Sequence, residues 1–160
     1  MPDLNLFGPI DIISCLVAIL CGFIIGFERQ WNGKTAGIRT SIMICLGACI
    51  FVSTGSYYWP EEGAVRILGQ IITGVGFLGA GVIIAREGLV HGVTSAAVIW
   101  MLAAIGSLTG LKNHVPALLL TLVTVFILVS ITYLERSMSK LKRGVHRDSD
   151  LVDIEKDKSD

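Results

Sequence analysis

The eight residues "GVGFLGAG", Gly74 to Gly81, decide how this chain is read. They contain Gly74-x-Gly76-x-x-Gly79, the glycine spacing of a dinucleotide-binding loop. That loop works only after a strand, at the start of a helix, with an acidic residue about 20 positions further on. Here the glycines lie inside "ILGQIITGVGFLGAGVIIA", Ile67 to Ala85, which carries no charge. An apolar run of this length matches the roughly 20 residues that a helix needs to cross a bilayer. The nucleotide reading is therefore excluded, and the glycines need another explanation. Lipid provides no hydrophobic drive between helices, so association rests on close backbone packing, which small residues permit. Gly69, Thr73, Gly76 and Ala80 recur at steps of four, three and four and form one smooth stripe. Gly74, Gly81, Ala85, Gly88 and Gly92 extend a second face into the next loop, and Gly79 completes the set. A helix with two small faces is expected to sit centrally, between two neighbours. The sharper alternative is a helix bent or broken at these glycines, with backbone groups freed at membrane depth.

Composition agrees with a membrane setting. Of 160 residues, 52% are hydrophobic and 16% charged, against about 25% charged in soluble domains. Formal net charge is zero, so no bulk charge points to nucleic acid. Four further spans flank the glycine-rich one: Ile10 to Phe27, Ile38 to about Tyr57, about Val93 to Leu111, and Val115 to Leu134. Period-two alternation is absent, which argues against a barrel. The fold class is all-α: a polytopic membrane protein with about five transmembrane helices in a Gly-rich bundle over residues 1–134. Residues 135–160 form a charged tail, read as cytoplasmic and partly disordered. No Lys or Arg precedes the first span and Asp3 is acidic, so that span is expected to stay as an anchor rather than be cleaved.

Lys and Arg are distributed asymmetrically, and cytoplasmic loops carry their excess. Five spans with an external N-terminus place eleven of the 13 inside: Arg29, Lys34, Arg39, Arg86 and the seven of the tail. Only Arg66 and Lys112 fall outside. An even number of spans would put the first basic loop and the basic tail on opposite sides. Trp31 stands near the proposed inner interface, and Tyr57, Tyr58 and Trp59 near the outer one, as aromatic belts do.

Ionisable residues within membrane spans are costly and are functional candidates by default. Here they stand at span ends. Asp11 and Arg66 read as interfacial side chains that snorkel. Glu28, Arg29, Lys34, Arg39 and Glu87 converge on the cytoplasmic side in the five-span arrangement. They form a paired cluster or an ion-binding mouth, with snorkelling as the alternative. Glu28 lies at the C-terminal end of its helix, where the dipole disfavours negative charge. Adjacent helical residues diverge, so the expected partner is Arg39, at the start of the antiparallel second span, rather than Arg29. Gln70, Thr73, Thr94 and Ser95 offer hydrogen bonds between helices. Antiparallel packing sets Cys21 near Cys45 and Cys15 near Cys49. Free Cys commonly packs as a small hydrophobe, and the three histidines show no ligand spacing. No nucleophile, base or metal constellation emerges, so no enzyme, metal site or cofactor is expected.

Three phrases together resemble a known family. "GFERQWNGKTAGIRT" (Gly26–Thr40) resembles the first cytoplasmic loop of the MgtC/SapB family of bacterial inner-membrane proteins. "QIITGVGFLGAGVII" (Gln70–Ile84) resembles its glycine-rich span, and "GVTSAAVIW" (Gly92–Trp100) the next span, singling out Thr94, Ser95 and Trp100. The resemblance covers roughly Asp11 to Leu134. It implies a role in magnesium homeostasis, exerted by contact with membrane partners such as the proton-translocating ATP synthase; the chain is separately expected to form a homo-oligomer. The alternative it leaves is a small oligomeric magnesium transporter or channel. This chain departs from the best-studied branch, which carries Asn-Thr in place of Thr94-Ser95 and Cys in place of Met101.

The charge distribution makes a direct prediction. Reporter fusions at the two ends should place the N-terminus outside and the C-terminus inside; both ends on one side would overturn the five-span count.

Overall fold

A computed structural model of the chain describes residues 8–86 and 89–137. Each apolar run folds as a helix because backbone groups without water must find partners within their own segment. The helices are α1 (Ile12–Trp31), α2 (Ile38–Tyr58), α3 (Gly63–Gly81), α4 (Val93–Gly110) and α5 (His114–Ser137). All five are long and apolar enough to cross a membrane. Asp11 caps α1: its Oδ2 accepts from the Ser14 backbone N–H at 3.0 Å and the Ser14 hydroxyl at 2.6 Å. Buried hydroxyls deeper in the spans are satisfied by their own helix. Ser107 donates to the Ala103 carbonyl at 2.8 Å, Thr109 to Gly106 at 2.7 Å and Thr121 to Ala117 at 2.8 Å.

The glycine-rich span departs from its expected bounds. α3 starts at Gly63, four residues before the uncharged run, and ends at Gly81. The chain then forms an antiparallel hairpin, β1 (Ile84–Arg86) with β2 (Leu89–His91), Ile84 opposite His91. Gly92 closes the hairpin and caps α4 with φ +92°, its Cα pressed against the Val82 carbonyl. Only glycine takes that conformation without strain, and no Cβ would fit there. The second glycine face therefore does not continue as a helix. Ala85 is in a strand, Gly92 is a cap, and Gly88 lies outside the described residues.

The chain divides after Val125 into two units. The first holds α1 to α4 and the opening turns of α5. The second, where described, is the helix from Phe126 to Ser137, in which Thr132 donates to the Leu128 carbonyl at 2.8 Å. The charged tail beyond Ser137 lies outside the described residues.

Within the first unit the central helices are α2 and α4, each packed against three others. The expectation that α3 is central is corrected: among the described residues α3 lies at the margin of this unit, packed chiefly against α2 and α4, with most of its residues exposed. A Cβ added at Gly69, Gly74, Gly76 or Gly81 would meet nothing within 4 Å; Gly79 nears Ala96 Cβ at 3.6 Å, and at the start of the helix a Cβ on Gly63 would strike the Gly55 carbonyl oxygen of α2. The other glycines that set helix contacts lie outside α3. A Cβ on Gly22 of α1 would stand 2.7 Å from the Ile42 Cα of α2. One on Gly106 of α4 would strike the Cys45 carbonyl oxygen, and one on Gly110 would stand 2.6 Å from the Cys49 carbonyl oxygen. The four cysteines are free. Cys15 neighbours Cys49, and Cys21 neighbours Cys45, as antiparallel packing requires.

These contacts predict opposite signs for one substitution. Gly106→Ala should lower stability by about 2 kcal/mol through overpacking. Gly76→Ala should raise it by up to about 1 kcal/mol through helix propensity. Thermal unfolding in detergent measures both, and similar shifts would overturn the α2–α4 contact.

Candidate functional site

At its C-terminal end α1 carries two adjacent ionisable residues that are both inside the protein. Glu28 is 8% exposed and Arg29 3%. Burying charge is costly unless the charges are paired and hydrogen-bonded, so the local geometry has to supply partners. Three residues do so. Asn32, the α1 C-cap, donates from Nδ2 to Glu28 Oε1 at 2.8 Å and to the Glu28 carbonyl at 3.0 Å. Arg29 Nη1 lies 3.9 Å from Glu28 Oε2. Arg29 Nη2 donates to Ser95 Oγ on α4 at 3.1 Å. The guanidinium thus ties the end of α1 to the first turn of α4, 66 residues later.

The loop that follows holds this end in place. Lys34 N–H donates to the Arg29 carbonyl at 2.9 Å, and Gly33 takes φ +64°. Gln30 Oε1 accepts from the Ile38 N–H at 3.2 Å, joining α1 to the start of α2. Electrostatics explain why Glu28 is retained. The N-terminus of α4 carries a positive dipole end, and Arg29 sits against it. The Glu28 carboxylate offsets both. Satisfaction is incomplete, however. Glu28 Oε2, Arg29 Nε and Ser41 Oγ are buried and have no hydrogen-bond partner. Ser41 faces α1 at Gly26, two residues before Glu28.

The expected partner of Glu28 is corrected. Arg39 is exposed, and among the described residues the only ion pair within 4 Å is Glu28 with Arg29. Adjacent side chains do diverge on an ideal helix. Here Arg29 reaches Ser95 at the α4 terminus, and its second amino group still lies 3.9 Å from Glu28 Oε2. Lys34 is exposed as well, and Glu87 lies outside the described residues. Of the five charged residues singled out, the fold brings together Glu28 and Arg29. Ser95 belongs with them, while Thr94 and Trp100 are exposed. Gln70 is exposed and Thr73 donates to the Gly69 carbonyl of its own helix at 3.1 Å. Asn32 was missed, although its i, i+4 spacing from Glu28 was a usable signal. Among the described residues no group of three or more His, Cys, Asp or Glu is placed to hold a metal.

The burial of this pair predicts a coupled response. Glu28→Gln alone should cost about 3–5 kcal/mol, because it leaves a buried guanidinium without its counter-charge. Glu28→Leu with Arg29→Met should recover most of that loss. Exchanging Glu28 and Arg39 should recover none. Unfolding of the purified variants measures this, and rescue by the Arg39 exchange would overturn the assignment.

A known family covers both this cluster and the glycine-rich α3. The sequence model of the MgtC family matches residues 15–137. "Protein MgtC" of Salmonella typhimurium (strain LT2) is 43% identical over 113 residues, covering 70% of this chain and 48% of that protein. "Protein MgtC" of Brucella abortus (strain 2308) is 34% identical over 144 residues, covering 88% of this chain and 60% of that protein. The chain thus spans about half the length of the Salmonella relative and three fifths of the Brucella one. No solved structure matches. With five membrane-spanning helices and a family match over most of its length, this multi-pass membrane protein belongs to the MgtC family.

Proposed function

We propose that the protein is an inner-membrane accessory or regulatory protein of magnesium homeostasis that acts through helix contacts, with its N-terminus outside and its C-terminus in the cytoplasm. One observation carries this reading. Among the described residues, a Cβ at Gly69, Gly74 or Gly76 on the small-residue face of α3 would meet no neighbour within 4 Å. Beside it runs an apolar groove of about 680 Å³, lined by Met43, Phe51, Ile67, Gly74 and Leu78 among others. Close backbone approach is the main attraction between helices in lipid, so this face is suited to a helix from a second copy or a membrane partner. The family resemblance offers the proton-translocating ATP synthase as one such partner. The role is one of contact rather than catalysis.

A second reading, a small oligomeric magnesium channel or transporter, is favoured by the buried Glu28 Oε2 and Ser41 Oγ, which have no hydrogen-bond partner among the described residues. Magnesium flux into liposomes containing the purified protein separates the two. Regulation by contact predicts no flux from folded protein. It also predicts that Gly76→Leu stays folded, because that site is open in the chain, yet loses support of growth at low magnesium. Flux with an unaffected Gly76→Leu variant would favour the channel.

A further inference from the structure

At the opposite end of α1 from the Glu28–Arg29 pair lies a polar pocket of about 500 Å³. Its walls include Asp11 and Ile12 at the start of α1, Ser53, Ser56 and Tyr57 at the end of α2, and Lys112 in the turn between α4 and α5. A volume of this order is typical of small-molecule sites.

Its charges are unusual in their arrangement. A carboxylate and an ammonium line one pocket, yet they are not within 4 Å of each other: the Glu28–Arg29 pair is the only such contact among the described residues. Each is held from its own side. Asp11 is fixed as the α1 cap, with both Ser14 bonds on Oδ2. Those bonds also hold its carboxyl below the ordinary carboxylate value, so it is charged at neutral pH. Lys112 takes φ +61°, in a turn closed by its N–H to the Thr109 carbonyl at 2.9 Å and by Asn113 N–H to the Leu108 carbonyl at 2.9 Å. A non-glycine residue in that region costs about 1–2 kcal/mol, so the lysine root is set by the surrounding turn. Ser56 adds a buried hydroxyl oxygen with no hydrogen-bond partner among the described residues, while Ser53 donates to the Gly110 carbonyl at 3.2 Å.

The two charges decide the ligand class. A simple anion would meet Lys112 but be repelled by Asp11. A simple cation would meet Asp11 but be repelled by Lys112. A group carrying both signs satisfies both walls, its phosphate toward Lys112 and the Ser56 hydroxyl, its ammonium toward Asp11. The pocket also lies at the level of the exposed aromatic residues Tyr57, Tyr58 and Trp59. Such residues mark the headgroup layer of a bilayer. We infer that this pocket binds a zwitterionic phosphate–ammonium group, the chemistry of a phosphatidylethanolamine headgroup or its soluble counterpart.

The test uses the full chain purified in detergent, with native mass spectrometry of bound lipid. Phosphatidylethanolamine should be retained about tenfold over phosphatidylglycerol of the same acyl chains, the discrimination of roughly one charge-assisted contact. Asp11→Asn removes the charge but keeps a good helix cap, so the variant should fold; it should abolish the preference. Lys112→Gln should weaken both lipids about tenfold. Displacement by glycerophosphoethanolamine would assign the site to a soluble zwitterion, and retention against it would assign the site to the lipid; both support the pocket. A wild-type protein without preference, or an Asp11→Asn variant that keeps it, would overturn the inference.

Discussion

The α2–α4 backbone contact is the constraint on which the rest of the first unit depends. At Gly106 and Gly110 the α4 backbone lies so close to α2 that an added Cβ would collide with the carbonyl oxygens of Cys45 and Cys49. In lipid, such proximity replaces hydrophobic burial as the source of attraction. It also explains why small side chains cluster there. Ala48, Cys45, Cys49 and Ser107 are all buried, and each occupies little volume. α1 joins by the same device at Gly22 and Gly26, so three helices form a core of near-touching backbones. α3 is attached to that core at the Gly55–Gly63 corner, along its length through Val75 against Ile99 and Ala103, and through the hairpin leading to Gly92.

The two ends of α1 are built differently, and the difference follows from charge. At one end Glu28 and Arg29 face each other across 3.9 Å while both are buried, with Arg29 tied to Ser95. A buried pair is strongly coupled, because removing either member strands the other in a low-dielectric setting. At the other end Asp11 and Lys112 line open space and are not in contact. Exposed pairs contribute little, about 0–1 kcal/mol, so leaving them apart sacrifices little stability. The first arrangement fixes helix positions. The second leaves charge available to something outside the chain.

Much of this was readable in the sequence, and what was not has a physical reason. Length and hydropathy place five spans because the bilayer imposes a length on every helix. The cysteine depths follow from antiparallel packing, which needs only alternation of direction. The position of α3 does not follow. A stripe such as Gly69, Thr73, Gly76 and Ala80 records the capacity for close approach, but not which surface approaches. The contacts that build the core come from Gly22, Gly106 and Gly110, which stand in less conspicuous surroundings. The partner of Glu28 was misread for a related reason. Helical spacing gives the direction of Cβ, but the reach of an arginine and the location of the α4 N-terminus decide where the guanidinium ends. The hairpin after Gly81 was also hidden, since "VIIA" suits a membrane helix and a strand equally.

An exposed glycine-rich helix would be a liability in water, where each bare glycine weakens the helix and each apolar neighbour favours aggregation. In lipid the balance changes. α3 satisfies its backbone hydrogen bonds internally, and its exposed Ile72, Phe77 and Leu78 lose nothing against acyl chains. The helix can therefore remain at the margin of the unit without a compensating partner, and its glycine face contributes no stability to the isolated chain. A feature that the isolated fold does not use is better explained by an interaction beyond it. α3 meets the rest of the unit along one side, through Val75 and Gly79, and leaves Gly69, Gly74 and Gly76 without a neighbour among the described residues.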